Sequence, residues 1–204
     1  MNIIVFGANG RAGLQCVKRA LEKGLKVTAF VRDPGKIHLL HPNLTIVKGD
    51  ALSQESVSNA VKGHDAVVSA LSARDDMHRL AFIHHIINAM RIHHIKRVIA
   101  IGGIGALQAS EHLKVYETAT FPREYVEVTQ AHIRVLDALL SSHLDFTFVC
   151  PPVIDDADRK GGFKTQDSYP TQSWNITSGD LADFIVGELE QKKFVGKKVG
   201  IGNE

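Results

Sequence analysis

The sequence predicts an α/β fold in which one mostly parallel sheet is covered by helices on both of its faces. Short runs of β-branched and other apolar residues alternate with longer segments of helical period along most of the chain. These short runs are almost continuously apolar, which is typical of strands that are buried on both faces. The chain has 204 residues, the length of one ordinary domain, so we expect a single domain over residues 1–204.

Local pattern places each element. The predicted strands are 2–6, 26–31, 44–48, 65–71, 97–101 and 145–150. The predicted helices are 11–23, 53–61, 78–94, 125–142 and 178–190, with Ser53 and Thr177 as the expected caps of the second and the last. Two connections, 102–124 and 151–177, exceed the usual length of α/β loops and leave the carboxyl ends of strands. Because ligands bind at that edge, we expect both to wall a substrate pocket; a plain surface excursion is the alternative.

Charge and cysteine content exclude several classes of protein. The 24 Lys and Arg residues nearly balance the 22 Asp and Glu residues, so no strong field draws the chain toward nucleic acid or an anionic membrane. The two cysteines, Cys16 and Cys150, lie far apart in apolar stretches and do not indicate a disulfide framework. No apolar run approaches the roughly 20 residues of a membrane span. We expect a cytoplasmic protein with no nucleic-acid or membrane partner, as a monomer or small homo-oligomer.

The sharpest motif is the glycine-rich segment GANGRAG, which directly follows the first predicted strand and opens the first helix. Gly7 permits a tight turn, Gly10 lets the backbone approach a pyrophosphate, and Gly13 lets the helix pack closely on the sheet. Free N–H groups at the helix start then bind the phosphates. This order of strand, turn and helix is that of the Rossmann fold and predicts a dinucleotide site; a purely structural glycine turn is the alternative. The predicted contacts are Gly7, Ala8, Asn9, Gly10, Arg11, Ala12 and Gly13.

The end of the second strand indicates which dinucleotide binds. Arg32 comes straight after Val31, and Lys36 follows four residues later. At this position of a Rossmann fold an arginine accommodates the 2′-phosphate of NADP, whereas an acidic residue accepts a hydrogen bond from the ribose of NAD. Arg32 and Lys36 therefore predict NADP(H), while Asp33 leaves NAD(H) open. Charged residues of a solvated loop are the alternative.

Three further strand ends are expected to line the cofactor. The segment after the third strand lies where this topology places the adenine, although Asp50 fits a helix-capping or turn role equally well. Small residues after the fourth strand fit a close backbone approach. Two glycines after the fifth strand leave room for nicotinamide or substrate, or else form a flexible exit into the long loop. The residues assigned in this way are Asp50, Ala51, Leu71, Ser72, Arg74, Gly102 and Gly103.

One histidine is the candidate for acid or base chemistry. The sequence has no Tyr-x-x-x-Lys pair, the acid and its helper in typical short-chain dehydrogenases, which disfavours alcohol dehydrogenation and epimerisation. His132 shares a helix face with Val128 and Leu136, so it is expected to point inward and to donate a proton or orient a substrate. The alternative is an interior histidine that is hydrogen-bonded within the protein and has no catalytic role.

The helix 78–94 carries a cluster of histidines that resembles a metal site at first sight. No second ligand set with closed spacing accompanies them, so we predict no metal. We interpret them as the polar face of a helix, with an oligomer contact as the alternative. The residues are His78, His84, His85, His93 and His94.

Five segments together carry a resemblance to a known family. They are GANGRAG at 7–13, VRDPGK at 31–36, DAVVSALSAR at 65–74, AHIRVLDAL at 131–139 and CPPVI at 150–154. The sequence resembles the atypical short-chain dehydrogenases over nearly its whole length. Within that group it is most similar to the biliverdin-IXβ reductase/NAD(P)H-flavin reductase family, and more distantly to NmrA-like proteins.

This resemblance implies an NADPH-dependent reductase that transfers a hydride to a flavin or to a linear tetrapyrrole. The chain departs from the pattern at Gly103, where human-type members carry a serine beside the substrate, and at Arg11 and Ala12. The alternative function is a non-catalytic NAD(P)-binding redox sensor that controls a partner, as the NmrA-like resemblance allows. The residues implied near the nicotinamide are His132, Pro151, Pro152, Val153 and Ile154.

Overall fold

The computed structural model describes residues 1–72 and 76–203, and its central feature is one eight-stranded sheet. The strands of this sheet and of two small two-stranded sheets are β1 (Asn2–Phe6), β2 (Lys26–Val31), β3 (Leu44–Lys48), β4 (Ala66–Ser69), β5 (Arg97–Ile101), β6 (Gln108–Ser110), β7 (Leu113–Lys114), β8 (Asp145–Cys150), β9 (Val153–Asp155), β10 (Phe163–Asp167), β11 (Asn175–Thr177) and β12 (Lys197–Asn203). The α-helices are α1 (Arg11–Glu22), α2 (Gln54–Val61), α3 (Asp76–Ile92), α4 (Val126–Leu140) and α5 (Ser178–Gln191).

The eight strands follow the order β10–β12–β8–β5–β4–β1–β2–β3. Every neighbouring pair is parallel except β10 with β12. The chain therefore starts in the middle of the sheet, winds outward through β2 and β3, and crosses back to β4 beside β1. This is the doubly wound Rossmann arrangement that the alternating pattern predicts. Its reversal point lies between β1 and β4, where such sheets open a crevice for ligands.

Helices cover both faces of the sheet, which explains the continuous apolar runs of the strands. One core lies under α1 and α5, and a second core lies under α2, α3 and α4. Successive residues of β1 alternate between the two cores, with Ile3 in the first and Ile4 in the second. Within the described residues, no helix has both the length and the apolar character needed to span a membrane.

Both predicted helix caps are confirmed. The Ser53 hydroxyl accepts a hydrogen bond from the Ser56 backbone N–H at 3.2 Å, and the Thr177 hydroxyl accepts one from the Asp180 N–H at 3.0 Å. Asp180 is fully buried, and its carboxylate accepts a hydrogen bond from the Asn203 side chain at 2.7 Å. The start of α5 is thereby joined to the end of β12.

The strand prediction fails at the C-terminal end. It misses β12 because Gly200 and Gly202 interrupt the apolar run. These glycines are required because the connection 151–177 packs against them: a Cβ on Gly200 would lie 2.2 Å from the Tyr169 carbonyl oxygen. The connections 102–124 and 151–177 are also more ordered than expected, since they contain β6 and β7, and β9 to β11, respectively. The fourth strand is shorter than predicted and ends at Ser69.

Candidate cofactor and active site

The segment between β1 and α1 forms a tight turn at which side chains are sterically excluded. Gly7 has a positive φ of 74°, and a Cβ there would lie 2.5 Å from the Ala70 carbonyl oxygen. A Cβ on Gly13 would lie 2.1 Å from the Gly7 carbonyl oxygen, so α1 rests directly on the turn. The N-cap residue Gly10 supplies no side-chain cap. The first N–H groups of α1 are therefore open to an anion such as a pyrophosphate.

A cavity of about 700 Å³ opens beside this turn, at the carboxyl edge of the sheet. Its wall combines the turn with the chain that follows β2, β3 and β4 and with the start of α3. A volume of this order suits a bound cofactor. The cavity brings together eight of the predicted cofactor contacts, which are Gly7, Asn9, Gly10, Arg32, Asp50, Ala51, Leu71 and Ser72.

The two charged residues after β2 have different positions. Arg32 is exposed and lines the cavity. The Asp33 carboxylate instead caps the short 3-10 turn Pro34–Lys36, where its Oδ1 accepts a hydrogen bond from the Gly35 N–H at 3.1 Å. Lys36 is exposed in the same turn, outside the cavity wall. The arginine, rather than the neighbouring carboxylate, is thus presented to a ligand.

Asp50 combines the two roles that its sequence context allows. It lines the cavity, and its Oδ1 also accepts a hydrogen bond from the Leu52 N–H at 3.0 Å, which fixes the turn after β3. The preceding Gly49 makes room for an aromatic ring, because a Cβ there would lie 2.3 Å from the ring of Phe30. Phe30 in turn forms part of the cavity wall.

Other predicted contacts lie behind or beside the cavity. Ala8 is fully buried and Ala12 packs against the core, so both support the turn from within. The Arg11 guanidinium donates a hydrogen bond to the Ile154 carbonyl oxygen at 2.8 Å, which ties the start of α1 to β9. Arg74 lies outside the described residues. The predicted contacts of the segment after β8 do not line the cavity; they are Pro151, Pro152, Val153 and Ile154.

A second cavity of about 20 Å³ adjoins the first and shares Leu71 and Phe82 with it. His132 lines this small cavity from α4, and Arg79 lines it from α3. Arg79 is only 8% exposed, and its Nη1 lies 2.9 Å from the Nε2 of His132. Burial, together with the positive charge of Arg79, lowers the pKa of His132 to about 4. His132 points inward as the helix pattern predicts, and it is neutral at physiological pH.

The two glycines after β5 border protein groups. A Cβ on Gly102 would lie 2.3 Å from the ring of Phe148, so the absence of a side chain at this position is required by core packing. A Cβ on Gly103 would lie 3.0 Å from the Nδ1 of His132. Neither glycine lines either cavity, although Gly103 adjoins the imidazole that does.

Sequence interpretation missed part of the cavity wall. His78 and Phe82 lie one helical turn apart on α3, and their rings stack with centroids 6.4 Å apart. His78 is exposed, as the polar-face interpretation predicts, but it also lines the cavity, and its spacing from Phe82 was the available signal for that position. The complete set of missed residues is Phe30, Val31, Gly49, Leu52, Ala70, His78 and Phe82.

The remaining histidines of this cluster serve local packing or face solvent. His85 donates a hydrogen bond from Nδ1 to the Ala51 carbonyl oxygen at 2.9 Å, and His93 contacts the Ser58 hydroxyl at 3.1 Å. His84 and His94 are exposed. Within residues 1–72 and 76–203, no three potential ligands are placed to hold a metal ion.

The residues at this edge fit a dinucleotide. The glycine turn leaves no space for side chains where a pyrophosphate would approach, and the uncapped start of α1 offers N–H donors to it. The cavity then extends past Arg32 and Asp50 on one side and past Leu71 and Ser72 on the other.

Comparisons with known proteins agree with this fit. The profile of the NAD(P)H-binding family matches residues 7–192. The uncharacterized protein YwnB of Bacillus subtilis is 26% identical over 215 aligned positions, which cover 100% of this chain and 99% of YwnB.

Solved structures share the whole fold. A candidate NADH-flavin reductase from Streptococcus pneumoniae is 27% identical with a TM-score of 0.87, over 100% of both chains. A candidate epimerase from Bacteroides thetaiotaomicron is 26% identical with a TM-score of 0.89, over 99% of this chain and 96% of that one. The chain therefore belongs to the NAD(P)H-binding family, with the Rossmann fold of the atypical short-chain dehydrogenases.

Proposed function

We propose that the protein is an NADPH-dependent reductase that passes a hydride to a flavin or to a similar planar, electron-poor acceptor. The observation that carries the proposal is the junction of the two cavities. The cofactor cavity extends from the glycine turn to Leu71 and Phe82, where the cavity of His132 and Arg79 begins. We assign the adenosine end of the cofactor to Arg32 and the nicotinamide end to Leu71. The likeness to a candidate NADH-flavin reductase supports the choice of acceptor.

NADP(H) is proposed over NAD(H) because of the different positions of Arg32 and Asp33. Arg32 lines the cavity, where a guanidinium can bind a 2′-phosphate through charge-assisted hydrogen bonds. Asp33 does not line the cavity, and its Oδ1 is engaged by the Gly35 N–H. Lys36, in the adjacent turn, adds positive charge near the same phosphate.

Matched substitutions test this choice of cofactor. Arg32→Ala should weaken NADPH binding about tenfold or more while NADH affinity changes little, because one charge-assisted contact is worth roughly 1.5–3 kcal/mol. Asp33→Ala is the matched control, and it should leave the ratio of the two affinities nearly unchanged. Titration of each variant with both dinucleotides measures this ratio. Equal losses of NADPH and NADH affinity in Arg32→Ala would contradict the assignment of Arg32 to the 2′-phosphate.

The acceptor is proposed to bind beside the small cavity of His132, with the two long connections, 102–124 and 151–177, as its outer wall. These connections hold each other: the Ile104 N–H donates to the Pro151 carbonyl oxygen, and the Gln108 N–H donates to the Ser168 carbonyl oxygen, both at 2.9 Å. The bond from Arg11 to Ile154 adds the start of α1 to the same unit. Hydrogen bonds thus join the proposed cofactor wall to the proposed acceptor wall.

Hydride transfer to such an acceptor needs little acid assistance from the protein. NADPH held by the glycine turn and Arg32 would supply the hydride, that is, one hydrogen with two electrons, and water reaching the acceptor would supply the remaining proton. The protein's part is to hold the two rings together. His132, beside the nicotinamide end, is proposed to contact the acceptor. Its substitution by Ala should lower the reduction rate while NADPH affinity is retained.

The activity is tested by following NADPH oxidation with FMN, riboflavin and biliverdin offered in turn. Turnover with any of these acceptors would support the reductase and rank its substrates. Tight NADPH binding without turnover would favour a non-catalytic redox sensor, the function that the absence of a Tyr-x-x-x-Lys pair also permits. A pull-down with the NADPH-bound protein would then be the next experiment.

We further propose that the protein works in a reducing compartment such as the cytoplasm. Cys16 and Cys150 are both free thiols, and both are fully buried. Burial raises the pKa of each thiol to about 12, so neither is held as a reactive thiolate.

A further inference from the structure

The contact between Arg79 and His132 determines which imidazole nitrogen carries a proton. A guanidinium has only donors, so the Arg79 Nη1 donates to the His132 Nε2 across their 2.9 Å separation. A nitrogen that accepts this bond carries no proton. The single proton of the neutral imidazole must then lie on Nδ1.

Gly103 lies beside that second nitrogen and places no side chain against it. A Cβ at position 103 would lie 3.0 Å from Nδ1 and 3.4 Å from Cε1 of His132. The backbone of Gly103 is extended, with φ −155° and ψ 157°, a conformation that any residue adopts without strain. The glycine is therefore not demanded by the turn itself, and its effect is to open the face of the imidazole at the end of β5.

Burial and a neighbouring cation keep His132 neutral. Arg79 on α3 is the charged side chain that lines the small cavity with it, whereas β4 and β5 present Ser69, Ala100 and Ile101. Arg134 on its own helix is paired with Asp76 of α3. Burial, together with the positive charge of Arg79, lowers the pKa of His132 to about 4.

We infer that Arg79 is a positioning residue that holds His132 as a permanently neutral hydrogen-bond donor, whose Nδ1–H binds a carbonyl oxygen or ring nitrogen of the acceptor across the open face of Gly103. This inference rests on the proposed reductase function and specifies the role of His132 within it. The imidazole neither gains nor loses a proton during turnover. The site thereby selects acceptors that carry a lone pair at the reacting end, such as an isoalloxazine or a tetrapyrrole lactam.

The tautomer can be measured directly on the whole protein by NMR of histidine labelled with ¹⁵N in the ring. The signals of His132 are assigned by their loss in His132→Gln. The wild-type protein should show a protonated Nδ1 and an unprotonated Nε2 at neutral pH, with no titration until the pH approaches about 4. A protonated Nε2, or titration near the ordinary value of about 6.5, would overturn the inference whether or not any variant folds.

Two substitutions of arginines on the same helix separate positioning from general effects. Arg79→Met removes the donor and the charge, so the pKa of His132 should rise and the proton should move to Nε2. Arg91→Met is the matched control, because Arg91 contacts the Ser142 carbonyl oxygen at the far end of α3 and should leave the His132 signals unchanged. An unchanged tautomer and pKa in folded Arg79→Met would contradict the role of Arg79.

The donor role is tested with Gly103→Ala, which crowds Nδ1 while the backbone is retained. We expect kcat/KM for FMN to fall about threefold to tenfold, the effect of losing one neutral hydrogen bond, with NADPH affinity unchanged. The wild-type rate of acceptor reduction should also stay flat between about pH 5.5 and 8, because His132 does not titrate there. Full retention of kcat/KM in Gly103→Ala would refute the donor role.

The experiments distinguish the reductase function from the positioning role of Arg79. If no flavin or tetrapyrrole is reduced, the proposed function fails even when the NMR signals show the Nδ1–H tautomer. If FMN is reduced but His132 carries its proton on Nε2, the reductase stands and the positioning by Arg79 is wrong.

Discussion

Acidification should destabilise the protein through His132 in a measurable pH window. In the folded chain the pKa of His132 is about 4, whereas an unfolded histidine titrates near 6.5. Between these values the unfolded state binds more protons than the folded state, so stability falls as the pH is lowered through this window. Above about pH 6.5 both states are neutral at this residue, and its contribution is constant.

The size of the effect follows from the pKa difference of about 2.5. At about 1.36 kcal/mol per pH unit, acidification from about pH 6.5 to about pH 4 costs up to about 3 kcal/mol through this one residue. Other groups also titrate in this range, so the comparison must be made with a variant. His132→Gln is suitable because its side-chain oxygen can accept the bond from Arg79 without titrating.

Urea denaturation at a series of pH values measures the effect. The wild-type free energy of unfolding should fall more steeply than that of His132→Gln below about pH 6.5, with the curves diverging by up to about 3 kcal/mol at about pH 4. Parallel curves would show that His132 titrates alike in both states. The reasoning from burial and from the charge of Arg79 would then be refuted.

Three further predictions concern the turn, the core and the tie between α1 and β9. Gly13→Ala should lower the melting temperature and abolish tight NADPH binding, because its Cβ would lie 2.1 Å from the Gly7 carbonyl oxygen; wild-type stability and affinity would contradict this. Glu188→Ala should cost about 3–5 kcal/mol of unfolding free energy in urea titrations, because the buried Arg97 guanidinium loses the Glu188 Oε1 that lies 3.1 Å from its Nη2; a loss below about 1 kcal/mol would count against a structural ion pair. Arg11→Ala removes the bond to Ile154 and should speed proteolysis within 151–177 with little change in melting temperature; unaltered cleavage would argue against the tie.

The glycine turn between β1 and α1 was predictable because its determinants are local. The order of β1, GANGRAG and α1 fixes the roles of Gly7 and Gly13 within a few residues of each other, and the structure shows steric exclusion at both. The doubly wound order of strands follows from the alternation of strand and helix in the same way, since parallel neighbours require helical crossovers.

Elements that depend on distant contacts were not predictable. The glycines of β12 weaken its strand signal, and they are explained by a connection some 30 residues earlier that packs against them. The sequence indicates only that His78 is solvated; the packing of α3 beside the end of β4 puts it in the cavity wall. The neutral state of His132 likewise depends on its burial in the fold and on Arg79, which lies 53 positions away in the sequence.

The sequence also did not predict which of two neighbouring charged residues, Arg32 or Asp33, faces the cavity. Both residues occur together after β2, and the sequence alone leaves NADP(H) and NAD(H) open. The structure gives the two residues different positions: Arg32 lines the cavity, and Asp33 accepts a hydrogen bond from the Gly35 N–H. The Asp33 carboxylate can bond either to a nearby backbone N–H or to a ligand, and composition and spacing do not show which of the two it does.

Sequential addition of NADPH and then FMN to the purified protein tests the central proposal most directly. Binding is first titrated without acceptor, and oxidation of the bound NADPH is then followed after FMN is added. We expect saturable NADPH binding that is tighter than NADH binding, followed by stoichiometric oxidation of NADPH and reduction of FMN. Binding without any transfer to FMN, riboflavin or biliverdin, or no preference for NADPH, would contradict an NADPH-dependent reductase of planar acceptors.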